Sequence, residues 1–163
     1  MAHRVFIGLG SNLAEPQAQL ACALAALDAL PGCQVLARSS FYRSAPVGYL
    51  DQPDFINAVA ELATDLAPRP LLDALLGVER QQGRTREFAN APRTLDLDLL
   101  LYGDLVLDEP GLSVPHPQMT QRAFVLLPLL EIAPQIPIPG AGKACDWLEN
   151  CREQKLERLD VVR

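Results

Sequence analysis

Residues 34–62 read QVLARSSFYRSAPVGYLDQPDFINAVAEL, and the order of elements within them decides the fold. Gln34 to Tyr42 predicts one strand and Phe55 to Leu62 (FINAVAEL) another, each carrying the branched and aromatic residues that suit a pleated surface. Pro46-Val47-Gly48 through Pro53 supplies turn chemistry between them. Two strands therefore follow one another with no helix between. Upstream, Ala14 to Leu30 is rich in alanine and leucine at helical spacing and is stopped by Pro31-Gly32. Before it, Arg4 to Gly8 (RVFIG) predicts a strand, and Gly8-Leu9-Gly10-Ser11-Asn12 a glycine turn. Downstream, Pro68 to Gln82 predicts a second helix with a proline near its first turn, and Leu95 to Tyr102 a fourth strand after a polar loop from Gly83 to Pro92. Gly103-Asp104 turns into a short companion strand, Leu105 to Leu107. A helix-like stretch near Gln118 to Ile132, interrupted by Pro128, leads through the connector Pro134 to Pro139 to a short terminal helix near Asp146 to Leu156. The order is βαββαβ with a helical tail. This is an α+β, ferredoxin-like layout: an antiparallel sheet with helices packed on it, plus a C-terminal helical extension. The ββ step argues against a purely alternating parallel sheet. Residues 1–163 are expected to form one domain.

Composition narrows the function. The chain is 49% hydrophobic and 21% charged, with a net charge of −6, so it lacks the basic footprint of a general nucleic-acid or anionic-membrane binder. Only Lys143 and Lys155 are lysines among fourteen basic residues. The remaining arginines suit forked recognition of phosphate. Cys22, Cys33, Cys145 and Cys151 show no zinc spacing and are expected as reduced thiols in a cytoplasmic protein. No signal-peptide anatomy and no apolar run long enough for a membrane helix is present.

The strongest local signal is Pro92-Arg93-Thr94-Leu95-Asp96-Leu97-Asp98-Leu99-Leu100. Leucine and aspartate alternate, so a strand puts Leu95, Leu97 and Leu99 on one face and both aspartates on the other. Their Cα atoms then lie about 6.6 Å apart. Carboxylates this close repel, and aspartate is disfavoured in strands. One reading is the solvated face of a half-buried sheet. The other is that cations offset the repulsion, and such ligands suit Mg²⁺, which takes one or two carboxylates plus substrate phosphates. Two metals about 3.5–4 Å apart fit between them. Arg84, Arg86 and Arg93 lie within ten residues of one another just before the strand. Metal, arginines and accurate positioning are the parts phosphoryl transfer needs. A solvated loop with an ion pair to Glu87 is the alternative. Pro115-His116-Pro117 holds an imidazole on a stiff turn, as a phosphate contact or a structural residue. No GxxxxGK[ST] loop occurs, and Leu13 stands where a dinucleotide fingerprint needs its third glycine.

Several segments together resemble the 6-hydroxymethyl-7,8-dihydropterin pyrophosphokinase family along almost the whole chain. They are Gly10-Ser11-Asn12-Leu13, Ser40-Phe41-Tyr42-Arg43, Asp51-Gln52-Pro53 with Phe55 and Asn57, Glu79 through Gly83-Arg84, Pro92 to Asp98, and Val114-Pro115-His116 with Arg122 and Phe124. The resemblance implies the ferredoxin-like fold and transfer of the β,γ-diphosphate of ATP to the pterin hydroxymethyl group, with release of AMP, in folate biosynthesis. It implies that Asp96 and Asp98 hold two Mg²⁺ ions bridging the ATP phosphates. Arg84, Arg93 and His116 would contact those phosphates, with help from Arg122. Glu79 would lie near the ribose or phosphates and Leu99 beside the adenine. Phe55 and Phe124 would sandwich the pterin ring. Asn57 would read the ring's edge with one donor and one acceptor, and Ser44, Ala45 and Val47 would meet the ring through backbone groups. Asp98 is the candidate base. The catalytic set is then Asp96, Asp98, Arg84 and Arg93.

The chain departs from the family pattern in three places. The loop 87–91 is a residue shorter and lacks an arginine–tryptophan pair, Pro117 replaces a common tyrosine, and Gly111 stands where some members carry an arginine. Loops near Gly48 and Phe88 are expected to act as lids, and the protein is expected to be a monomer with no nucleic-acid or membrane partner. Two competing readings remain at this point: a phosphotransferase that moves the γ-phosphate, and a non-catalytic ferredoxin-like binding module.

Overall fold

A computed structural model describes residues 2–12, 14–45, 54–83 and 95–159. Val47, Arg84, Arg86, Arg93 and the expected lids at Gly48 and Phe88 lie outside the described residues. The first half runs β1 (His3–Ser11), α1 (Pro16–Ala29), β2 (Cys33–Arg38), β3 (Tyr42–Ser44), β4 (Phe55–Thr64) and α2 (Pro68–Gly83). It continues with β5 (Leu95–Tyr102), the hairpin β6 (Leu107–Glu109) and β7 (Leu112–Val114), then α3 (Ala123–Ile132). A small ribbon, β8 (Pro137–Ile138) and β9 (Gly142–Lys143), a 3₁₀ helix over Ala144–Cys151, and β10 (Leu156–Arg158) complete it.

The main sheet has the order β10-β3-β4-β1-β5, with β2 on the other half of β4, and all its pairings are antiparallel. The βαββαβ core therefore carries the ferredoxin-like order, with β1 and β4 central. Alternation sends Val5, Ile7, Leu9, Ile56, Ala58, Leu95, Leu97 and Leu99 to one face, where they form a single buried cluster with α1 and α2. On α1 the buried residues are Leu20, Ala23, Leu24 and Leu27, the spacing of one helical stripe. Burying a leucine of this kind contributes about 1.5–3 kcal/mol. The opposite face is covered by α3, whose Val125, Leu126 and Leu129 join Phe6, Val59, Leu100 and Leu101 in a second cluster. Pro128 lies inside α3 and is buried, yet the helix continues to Ile132. The burial of its neighbours outweighs the lost N–H bond. Among the described residues no helix is long and apolar enough to cross a membrane.

Four expectations are corrected. β1 does not end at Gly8: it stays paired with β4 and β5 through Ser11, so the glycines lie in a strand and not in a turn. The strand expected over Gln34–Tyr42 is two strands, because Ser39 takes over the ladder. Its N–H donates to the Val59 carbonyl at 2.8 Å, and its hydroxyl accepts the Val59 N–H at 2.9 Å. The companion strand after Gly103 is a hairpin over Leu107–Val114. The terminal helix is a 3₁₀ helix ending at Cys151, and Leu156 belongs to β10, which extends the sheet beside β3.

Candidate active site

β5 begins at Leu95, and its leucines are buried while Asp98 is half-buried and Asp96 exposed. The two aspartates therefore share the face opposite α1 and α2. Strand pairing carries this face across the sheet in rows. One row reads Asp96, Gly10, Asn57, Tyr42 and Arg158, on five successive strands. The next reads Asp98, Gly8 and Val59. Both positions between the aspartates and β4 are thus glycines, and a Cβ there would meet the Leu100 side chain at Gly8 and the Asn57 amide at Gly10.

Asn57 is 3% exposed and its amide is held in place. Its Nδ2 donates to Ser44 Oγ at 2.8 Å and, at 3.5 Å, faces the Tyr42 carbonyl, which can only accept. Oδ1 is therefore directed toward β1, where a Cβ on Gly10 would come within 3.1 Å of it. Phe55 stands two residues before Asn57 on the same face, half-buried, with its ring 4.0 Å from that same Cβ position.

Above the sheet, His116 is tied to β5 by its N–H, which donates to the Leu100 carbonyl at 2.9 Å. Its Nδ1 accepts the Gln118 N–H at 3.1 Å, so in the neutral ring the proton sits on Nε2, leaving that atom as a donor. Burial holds the imidazole below its ordinary pKa; the Asp98 carboxylate pulls it up and the Arg122 guanidinium pushes it down. These influences bring three predicted site residues into one electrostatic neighbourhood. Arg122, just before α3, donates to Gln118 Oε1 and lies 5.4 Å over the ring of Phe124. Ser44 is half-buried at the end of β3, and Ala45 follows it, exposed.

Two predicted residues occupy a different side. Leu99 is 5% exposed in the α1/α2 cluster, so its side chain is committed to the core, leaving its backbone on the edge strand. Glu79, on α2, accepts the Leu97 N–H at 2.6 Å and satisfies an edge donor of β5. Gly111 takes φ 76° at the tip of the β6–β7 hairpin, a conformation that favours glycine over the arginine some family members carry. A cleft of about 420 Å³ beside the start of α1, lined in part by Glu15, Arg43, Asp54 and Ile56, contains none of the predicted site residues.

A carboxylate not foreseen in the sequence organises the outer wall. Glu131, at the end of α3, accepts the Ser40 N–H (2.9 and 3.0 Å), the Ser40 hydroxyl (2.9 Å) and the Tyr42 hydroxyl (2.6 Å). Burial raises its pKa, but these bonds and the Arg158 charge outweigh that and hold it below the ordinary range. Burial and then Glu131 itself push the Tyr42 phenol up to about 12. Only the long-range fold could reveal this, since Glu131 lies about ninety residues from its partners in sequence.

As a donor set, Asp96 and Asp98 offer hard oxygens. Among the described residues no cluster of three or more His, Cys, Asp or Glu side chains forms. Two carboxylates on one sheet face, with glycines as their cross-strand neighbours, fit a magnesium ion that takes its other ligands from phosphate and water.

The family model for 7,8-dihydro-6-hydroxymethylpterin-pyrophosphokinase (HPPK) matches residues 6–134, which include the aspartates, Asn57, His116 and Phe124. The chain belongs to this family. It is 49% identical over 159 residues to a 2-amino-4-hydroxy-6-hydroxymethyldihydropteridine pyrophosphokinase of Pseudomonas aeruginosa, covering 98% of each chain. It is 42% identical over 155 residues to the protein of the same name from Haemophilus influenzae, covering 95% of this chain and 97% of that one. Among solved structures it matches the wild-type HPPK-DHPS of Plasmodium falciparum with pterin and p-hydroxybenzoate, at a TM-score of 0.75 and 13% identity. All of this chain is covered there, but it spans only 47% of that chain, and at this identity the likeness speaks to the fold. HPPK membership makes the protein a pyrophosphokinase of folate biosynthesis that acts on a hydroxymethyldihydropterin. HPPK enzymes use ATP.

Proposed function

We propose that the groove over Gly8 and Gly10 is where this HPPK domain joins ATP to 6-hydroxymethyl-7,8-dihydropterin, with Asp96 and Asp98 as the ligands of two Mg²⁺ ions. The observation that carries this reading is the row Asp96, Gly10, Asn57: a carboxylate and a fixed buried amide stand on either side of a glycine. Magnesium held by the aspartates would neutralise the triphosphate and fix its geometry.

The chain's own residues do the rest. Asn57 turns Oδ1 toward the groove and accepts from an N–H on the pyrimidine-like edge of the ring. Phe55 and Phe124 supply flat apolar surface for its faces. Ser44 holds the amide, and the backbone at Ala45 and Val47 meets the ring. His116 offers its Nε2–H, and Arg122 its guanidinium, to phosphate oxygens, joined by Arg84 and Arg93. The hydroxymethyl oxygen attacks the β-phosphorus, the bond from that phosphorus to the α-bridging oxygen breaks, and AMP leaves. Asp98 is placed here as acceptor of the hydroxyl proton. Glu79 supports the ATP side by bracing the edge of β5, and the Leu99 backbone lies beside the adenine. The protein is read as a cytoplasmic monomer.

Phosphorus NMR of a reaction containing ATP, Mg²⁺ and the pterin alcohol tests the chemistry. AMP and a pterin diphosphate are expected. ADP with a pterin monophosphate would replace this reading with γ-phosphoryl transfer. Omitting Mg²⁺ is expected to abolish turnover.

A further inference from the structure

The family match ends at residue 134, yet the segment beyond it returns to the groove. It touches two separate walls there. At one end, the Gln154 side chain grips the start of α3: Oε1 accepts the Ala123 N–H at 2.9 Å, and Nε2 donates to the Gln121 carbonyl at 2.7 Å. Ala123 is the first residue of that helix, and its N-cap residue, Arg122, makes no side-chain cap bond. An otherwise unmatched helix donor is thus satisfied from 31 residues away.

At the other end, β10 pairs with β3, matching Leu156 to Ser44, Glu157 to Arg43 and Arg158 to Tyr42. The Leu159 N–H extends this ladder to the Phe41 carbonyl at 2.9 Å. Arg158 Nε donates to Ser40 Oγ at 3.2 Å, and its guanidinium lies 3.6 Å from the Glu131 carboxylate. The same short run of chain is therefore bonded to both sides. On one side stand Arg122 and Phe124; on the other stand Ser44 and, through it, the Asn57 amide.

The geometry points to residues 154–158 as a positioning strap for the pterin pocket, fixing the α3 wall relative to the β3 wall. This rests on reading Phe124, Asn57 and Ser44 as the pterin's surroundings. The physical case is one of stiffness. β3 is three residues long, and although Glu131 ties the far end of α3 to Ser40 and Tyr42, the first turn of α3, which carries Phe124, has no cap of its own and takes its partner from Gln154. A ring held between such walls is sensitive to their separation, since a misplacement of about 1 Å far from the chemistry can cost a hundredfold in rate. Gln154 and Arg158 are positioning residues and touch no substrate. They act through Phe124 and Asn57.

The test titrates the pterin alcohol into the full-length protein saturated with Mg²⁺ and α,β-methylene-ATP, for wild type, Gln154→Ala, Gln154→Glu and Arg158→Ala, with melting temperatures alongside. Gln154→Ala is expected to weaken pterin binding about five- to tenfold, the scale of one lost hydrogen bond, with the protein still folded at the assay temperature. Gln154→Glu keeps an acceptor for the Ala123 N–H at a helix end that favours negative charge, so it is expected to recover part of that loss. Arg158→Ala loosens the opposite wall and is expected to weaken pterin binding in the same sense. Unchanged pterin affinity in both alanine variants, whatever their melting temperatures, overturns the strap while leaving the pocket reading intact. Failure of the wild type itself to bind pterin would remove the pocket reading and the strap with it.

Discussion

Replacing Gly10 by alanine is the sharpest probe of the groove, because it adds one methyl group at the midpoint of the row Asp96, Gly10, Asn57. A Cβ built there lies 3.1 Å from Asn57 Oδ1, a contact that the amide must relieve by moving a few tenths of an ångström. Its room to retreat is small, since Nδ2 is already 2.8 Å from Ser44 Oγ and Asn57 is buried. The methyl also shields Oδ1 from the groove. Losing the amide's bond to a ring, or leaving its oxygen buried without a partner, costs about 1–3 kcal/mol. That corresponds to roughly 5- to 150-fold in pterin dissociation constant. Folding should change little, because removing glycine from a strand interior gains about 0.5–1 kcal/mol and offsets part of the crowding. Gly8→Ala is the matched control: the three atoms nearest its Cβ all belong to the Leu100 side chain, the closest at 3.4 Å. Calorimetric titration with the pterin should therefore show a large loss for Gly10→Ala and a change within about twofold for Gly8→Ala. Equal pterin affinities for Gly10→Ala and wild type would refute the placement of the ring against Asn57.

Asp98→Asn should lower turnover by about two orders of magnitude or more while the protein stays folded; kinetics like the wild type in Mg²⁺ would remove the metal role. Arg93→Ala should cost more in kcat than in pterin affinity, and steady-state kinetics showing only a raised pterin KM would move that residue off the phosphates. Acid stability should report on Glu131. Its folded pKa lies below its ordinary 4.5, so it contributes stability that is present above that value and lost as pH falls through the lower one. Urea titrations from pH 7 to pH 3 should give a flatter acid limb for Glu131→Gln than for wild type, and parallel curves would contradict the assignment.

The parts that could be read from sequence are those in which local pattern and tertiary environment agree. β5 was expected at Leu95–Tyr102 and occupies those residues, because strict leucine–aspartate alternation admits one orientation on a sheet with a single buried face. The two core helices follow from their apolar stripes in the same way. Glycine misled at Gly8 and Gly10, where local rules favour a turn, because the reason for the missing side chains lies on the neighbouring strands. The break after Arg38 depends on a serine hydroxyl standing in for backbone, and β10 is too short to carry a pattern of its own. Glu131 and Gln154 could not have been singled out either. Each is an ordinary polar residue until the fold brings distant backbone to it. Family resemblance groups Asp98, His116 and Arg122 around the phosphates, and in the fold both Asp98 and Arg122 act on the His116 imidazole, whereas Arg84 and Arg93 lie outside the described residues.

The position of the groove follows from how far α3 reaches. Its apolar residues cover the sheet over Phe6, Val59 and Leu100, and the helix begins at Ala123, next to Arg122, which with Asp98 acts on His116. Beyond that cover the sheet face has to be closed by side chains or left open to a ligand. β1 contributes only hydrogens at Gly8 and Gly10, where the Leu100 side chain and the Asn57 amide come close, and the proposed groove is a strip one strand wide. Neighbouring strands lie about 4.8 Å apart, which sets β5 and β4 nearly 10 Å from each other across it. That width separates a carboxylate rim from an amide-and-aromatic rim by about the distance from a pterin's pyrimidine edge to a phosphate beyond its hydroxymethyl group. In the proposed site the two requirements of the reaction, charge neutralisation at one end and recognition of a flat ring at the other, fall to β5 and β4, which flank β1 in a single sheet. The glycines provide the space in which they meet, which is why a change as small as one methyl group at residue 10 should be felt by the substrate before it is felt by the fold.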